Sequence, residues 1–232
     1  MAAVPPATAL RNLGFTIAAI AGAWTLSSLG YFELEPLLRA EVGYNDAPLA
    51  FAGYYALWSL AVFAVFRGNF RRAGDLSLTP TRIAAIAALA IGFAGFALFV
   101  LPRLPAMVWT RSADPVEFFW ANSWYFLPKA IEILFQQILI AALVLALHDL
   151  GLGTLRIGLL VALLFGGFHL TLAFSYPNPL YVLRYSVAGT LFGGLAPWLL
   201  LNLRHGFLFS LAIHAGYYVI DSIAIHFAFA AP

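Results

Sequence analysis

Residues Pro128–Leu147 read PKAIEILFQQILIAALVLAL, apolar throughout except for Lys129, Glu132, Gln136 and Gln137. A helix advances about 1.5 Å per residue, so about 20 apolar residues cross a ~30 Å hydrocarbon layer. The stretch therefore reads as a membrane span. It also carries a carboxylate into a medium where an ionisable group costs several kcal/mol unless it faces the bundle interior and has a partner. Fold and candidate chemistry are posed together in these residues.

Working outward, the same ruler finds six more spans: Leu13–Tyr31, Pro48–Phe66, Ile83–Leu101, Leu155–Phe174, Leu183–Leu201 and Phe207–Phe227. A further apolar piece, Val116–Leu127, is either an interfacial helix or an extension of the fourth span, with Pro128 at a helix N1 position. Its Phe118, Phe119, Trp120, Trp124, Tyr125 and Phe126 suit a headgroup-level belt. The expectation is an all-α polytopic transmembrane bundle of about seven spans, one integral membrane domain over residues 1–232. Composition agrees: 63% of residues are hydrophobic and 9% charged, with a mean hydropathy of +0.91. A soluble domain would carry about 25% charged residues, so the solvent around this chain is expected to be lipid.

The absence of cysteine excludes disulfides and thiolate metal sites, and a net charge of +2 gives no basis for nucleic-acid binding. The chain has eleven Arg and one Lys. With the N-terminus in the cytoplasm, Arg11, Arg67, Arg71, Arg72, Arg82, Arg156 and Arg204 fall inside, while Arg39, Arg103, Arg111 and Arg184 fall outside. That orientation sets Arg11 ahead of a first span read as a signal anchor, and the expectation is an integral membrane protein, of the bacterial inner membrane, with its N-terminus in the cytoplasm.

The intramembrane ionisable groups are Glu132, His169, His214 and Asp221. Residues four apart share a helix face, so Glu132 points with Gln136, and His214 with Tyr218, Asp221 following at i+7. Gly166, Gly167, Gly193 and Gly194 read as points of close helix approach. His148, Asp149 and His205 lie at helix ends, and His226 lies near the outer boundary, outside this set. A carboxylate and an imidazole converging on one water can polarise it for attack on a carbonyl. Two His and one carboxylate can alternatively hold zinc, which makes Glu132, His169 and His214 the metal candidates, though their spacing matches no compact metal motif. Taken singly, an intramembrane His is often a packing residue. Depth counted along the helices brings Asp221 closer to His169 than His214, so Asp221 is a further candidate partner for His169.

At these residues the sequence resembles the CPBP/Abi family of CAAX-processing endopeptidases and bacteriocin-processing membrane proteases. That family carries E-E-x-x-x-R, F-x-x-x-H and H-x-x-x-N/D on successive core helices. The second motif stands here as Phe165-Gly166-Gly167-Phe168-His169. The third is His214-Ala215-Gly216-Tyr217-Tyr218, with Tyr in place of the amide or acid. The first is Ile131-Glu132-Ile133-Leu134-Phe135-Gln136, keeping the second Glu but placing Ile and Gln where the family has Glu and Arg. Leu203-Arg204-His205-Gly206 is similar to the family's turn before its last core helix. The resemblance covers roughly the last hundred residues. It implies a core over 116–232, with residues 1–115 forming peripheral N-terminal spans.

The resemblance implies an intramembrane endopeptidase in which Glu132, His169 and His214 are catalytic and Gln136, Tyr218 and Asp221 supporting. Its cofactor would be zinc or none, and its substrate a membrane peptide or prenylated protein. The replaced motif positions imply an alternative: a catalytically inactive relative that binds a membrane protein complex, lipid or hydrophobic cofactor. A small-molecule transporter ranks third, because neither an inverted repeat nor a broken midplane helix is evident.

Overall fold

The computed structural model describes residues 6–40, 43–73, 79–106, 122–174 and 179–230. Among the described residues there are seven α-helices: α1 Pro6–Leu37, α2 Pro48–Ala73, α3 Pro80–Gly95, α4 Phe126–Asp149, α5 Thr154–His169, α6 Pro179–Asn202 and α7 Gly206–Ala228. There is no β-strand among the described residues. Six of the helical stretches are long and apolar enough to span a membrane. The predicted span Leu183–Leu201 lies within α6, which is 24 residues long but less apolar, because Arg184, Tyr181, Tyr185, Thr190 and its glycines dilute it. This is the all-α, membrane-spanning bundle that composition predicts.

The first half of the proposed interfacial piece Val116–Leu127, residues 116–121, lies outside the described residues. From Asn122 onward a 3₁₀ turn, Ser123–Tyr125, feeds α4. Pro128 is the third residue of α4 rather than the first. That is still the first turn, where a missing N–H breaks no helical bond. Asn122 sets the entry: its Oδ1 accepts from the amides of Trp124 and Tyr125 at 2.8 and 3.2 Å. Asn122→Ala removes this cap, at a cost of ~1 kcal/mol. The expected readout is a melting temperature about 2–4 °C lower in detergent.

The chain divides into two compact units, and the division falls inside α1, α2, α4 and α7. The first comprises Met1–Ile20, Phe66–Ser77 and Leu139–Ser210. Its centre is the pairing of α5 with α6. On α5, Ile157, Val161 and Phe165 recur every four residues and are buried, while Leu155, Leu159 and Leu163 recur at the same spacing and are exposed. An apolar outer face beside an apolar inner face is what a helix shows when its outer solvent is lipid.

The second unit comprises Ala21–Val65, Leu78–Ile138 and Leu211–Pro232. Its core is aromatic: Tyr31 and Phe51 lie 4.9 Å apart between ring centroids, and Tyr44 lies 5.4 Å from both Phe51 and Tyr125. Tyr54 of α2 donates to the Ser27 carbonyl of α1 at 2.8 Å. Beyond α3 the chain widens into a π-helical turn, Phe96–Val100, in which the Leu101 amide reaches back to the Phe96 carbonyl. Pro102 has no N–H to offer, and the Ala97 carbonyl instead accepts from the Ser123 hydroxyl at 2.6 Å. A side chain at the entrance of α4 thus closes a gap in the ladder after α3.

Candidate functional site

Glu132 lies one turn into α4, and helical spacing puts Lys129 and Gln136 beside it. Lys129 Nζ pairs with Glu132 Oε2 at 2.9 Å. Gln136 Nε2 donates to Oε1 at 2.8 Å. The third donor comes from far away in sequence: the Tyr44 hydroxyl, in the short 3₁₀ turn Gly43–Asn45, donates to Oε2 at 2.9 Å. Burial, and then the neighbouring Glu132 charge, push the Tyr44 phenol well above its ordinary pKa. It therefore stays protonated and keeps donating.

Lys129 is itself enclosed. Its ammonium lies 5.4 Å from the Tyr44 ring centroid, 5.6 Å from that of Tyr125 and 5.0 Å from that of Tyr218. All three distances are within reach of cation–π attraction. Lys129 is the single lysine of the chain, and only 6% of it is exposed. An ion pair boxed by three tyrosines, its lysine buried and its carboxylate partly exposed, thus occupies the place where sequence reasoning sets a catalytic carboxylate. Lys129, Tyr44 and Tyr125 are absent from the predicted set. Lys129 could have been found from its position three residues before Glu132; the tyrosines had no comparable signal.

The remaining predicted residues fall into two groups. In the second unit, His214 and Tyr218 are both buried, with ring centroids 5.9 Å apart, and Tyr218 joins the Glu132 cluster through Lys129. Asp221 is buried on the same helix, and so is His226, which sequence depth had placed near a boundary. In the first unit, the His169 Nδ1–H donates to the Phe165 carbonyl at 2.6 Å, which fixes the ring and directs Nε2 away from the helix. The His169 ring is stacked on Tyr185, with 6.3 Å between centroids and 3° between planes. Gly189 of α6 makes room for it, since a Cβ there would lie 2.7 Å from His169 Nδ1.

Chemically, the Glu132 carboxylate is poorly placed as a base. An ionised carboxylate offers about four lone-pair positions, and donors already take three of them. Taking up a proton would leave Lys129 buried without its counter-charge. Among the described residues, no three His, Asp or Glu side chains are disposed to hold a metal ion. The chain matches no protein-family model, and neither a curated protein nor a solved structure matches it.

Proposed function

We propose that this chain is a catalytically silent, CPBP/Abi-like integral membrane protein that serves as an accessory or binding subunit for a membrane partner, lipid or hydrophobic cofactor. The arginine distribution supports an N-terminus in the cytoplasm, and the membrane we assign the chain to is the bacterial inner membrane. One observation carries the reading: both oxygens of Glu132 are engaged, by Lys129 and Tyr44 on one side and Gln136 on the other. The group that would activate water is held as a structural anion. Ile131 beside it has no proton to move.

The peptidase reading keeps one specific support. The Phe165–His169 pair is intact, and its imidazole is oriented by the Phe165 carbonyl. Both readings meet in a single assay of the purified chain, reconstituted in lipid vesicles and offered membrane-inserted peptides and a prenylated CAAX peptide. The expected result is no hydrolysis above that of the His169→Ala variant. Hydrolysis by the wild type that disappears in both Glu132→Gln and His169→Ala would establish the peptidase instead.

A further inference from the structure

On α7 the polar residues form a series. Ser210, His214, Tyr218, Ser222 and His226 follow one another at intervals of four, and Asp221 falls beside them, three residues beyond Tyr218. Positions four apart lie above one another on one helix face. All six are buried: Ser210 and Ser222 at 0% exposure, His214 and Tyr218 at 6%, Asp221 and His226 at 7%. The outer face of the same helix is apolar, with Phe209, Ile213, Ile220 and Phe227 exposed. From His214 to His226, within the second unit, the series rises about 18 Å, and counting from Ser210 about 24 Å.

A polar residue or two is enough to hold helices together in lipid. Six on one face cost more than association requires, and their chemistry is uniform. Hydroxyl, imidazole and protonated carboxyl groups can each give and take a hydrogen bond; no amide and no fixed cation interrupts the row. Local geometry turns the members along it. The His226 Nδ1–H donates to the Ser222 carbonyl at 2.8 Å, which leaves Nε2 as the nitrogen that can exchange a proton, and the His214 ring lies beside that of Tyr218. Each step is about 6 Å along the axis, a distance spanned by side-chain reach and one bridging water. From the other elements, Lys129 brings a charge to the row, over the Tyr218 ring. Glu132 neutralises it, and Tyr44 and Tyr125 complete its enclosure.

We propose that this face of α7 is the buried stretch, about 18 Å long, of a proton-transfer path across the membrane, with His226, Asp221, Ser222, Tyr218 and His214 as successive carriers. A proton taken up at one end is matched by one released at the other. Net charge movement is balanced by counter-ion flow across the membrane. The path requires no peptidase activity and stands or falls separately from the binding role.

The test is the purified full chain in phosphatidylethanolamine–phosphatidylglycerol vesicles containing a trapped pH-sensitive dye, with potassium and valinomycin setting the potential. The expected result is dye acidification faster than in protein-free vesicles, lost in Asp221→Asn and restored in Asp221→Glu. Tyr218→Phe deletes one hydroxyl and keeps the ring over Lys129. It should also lose the flux, and it decides the matter where Asp221→Asn does not yield folded protein. His148→Ala, off the row, should behave as wild type. Wild-type vesicles no more permeable than empty ones would overturn the proposal. So would flux unchanged in folded Asp221→Asn or Tyr218→Phe protein.

Discussion

Glu132→Ala should destabilise the folded chain by ~3–5 kcal/mol, the cost of leaving one partner of a buried ion pair without its counter-charge. In melting temperature this is about 6–20 °C for a chain of this size. Lys129 has little room to escape: Tyr44, Tyr125 and Tyr218 enclose its ammonium, and water reaches almost none of it. The double variant Lys129→Met/Glu132→Leu removes both charges and roughly keeps the volume. The thioether also suits an aromatic box. What remains lost is the acceptor for the Tyr44 hydroxyl and the Gln136 amide, at ~1–3 kcal/mol for each buried donor left unsatisfied. Glu132→Ala suffers the same loss in addition to the unpaired ammonium, so the double variant should melt above it although it carries one more substitution. Thermal unfolding of the wild type, Lys129→Met, Glu132→Leu and the double variant in one detergent gives the coupling energy directly. Wild-type stability in Glu132→Ala would mean that the carboxylate is not a structural anion, and Glu132 would return to consideration as a base.

The fold was legible because lipid leaves a coarse imprint: long apolar runs separated by arginine, proline and glycine. What remained hidden was non-local. The pairing of Glu132 with Gln136 follows from helical spacing alone. The Tyr44 hydroxyl that completes it sits 88 residues earlier in sequence, and no periodicity links a loop tyrosine to a helix carboxylate. Lys129 was visible but read as the start of a span, where a long cationic side chain ordinarily snorkels toward the headgroups. Here the tyrosine box holds it inside. His226 was set aside on depth, because a boundary drawn from apolarity cannot tell a buried helix end from a wet one. The hydroxyls of Ser210 and Ser222 carried too weak a signal to be singled out until their burial joined them to the histidines of α7.

The glycines show the same division at finer scale, and they yield the second large effect. Gly193→Ala should cost about 3 kcal/mol, the upper part of the usual range for overpacking, whereas Gly194→Ala should be neutral or slightly stabilising. The two residues are adjacent on α6, and sequence alone treats them alike. A Cβ at 193 would lie 2.8 Å from the Val161 carbonyl oxygen and 2.9 Å from the Ala162 Cα. Both are backbone atoms of α5, so no rotamer change can relieve the clash and the helices must separate. At 194 the nearest atom is the Ala162 Cβ at 3.9 Å, an ordinary contact. There the gain in helix propensity, up to ~1 kcal/mol, has nothing opposing it. Gly206→Ala belongs with Gly193, since its Cβ would sit 2.5 Å from the Leu199 carbonyl carbon and 2.8 Å from the Leu200 Cα. Gly216→Ala, with nothing within 4 Å, belongs with Gly194. Melting temperatures of the four single variants should thus fall into two separated pairs. Equal effects at 193 and 194 would show that α5 and α6 are not in backbone contact there, and would undo the account of how Gly189 and the α5–α6 pairing position His169.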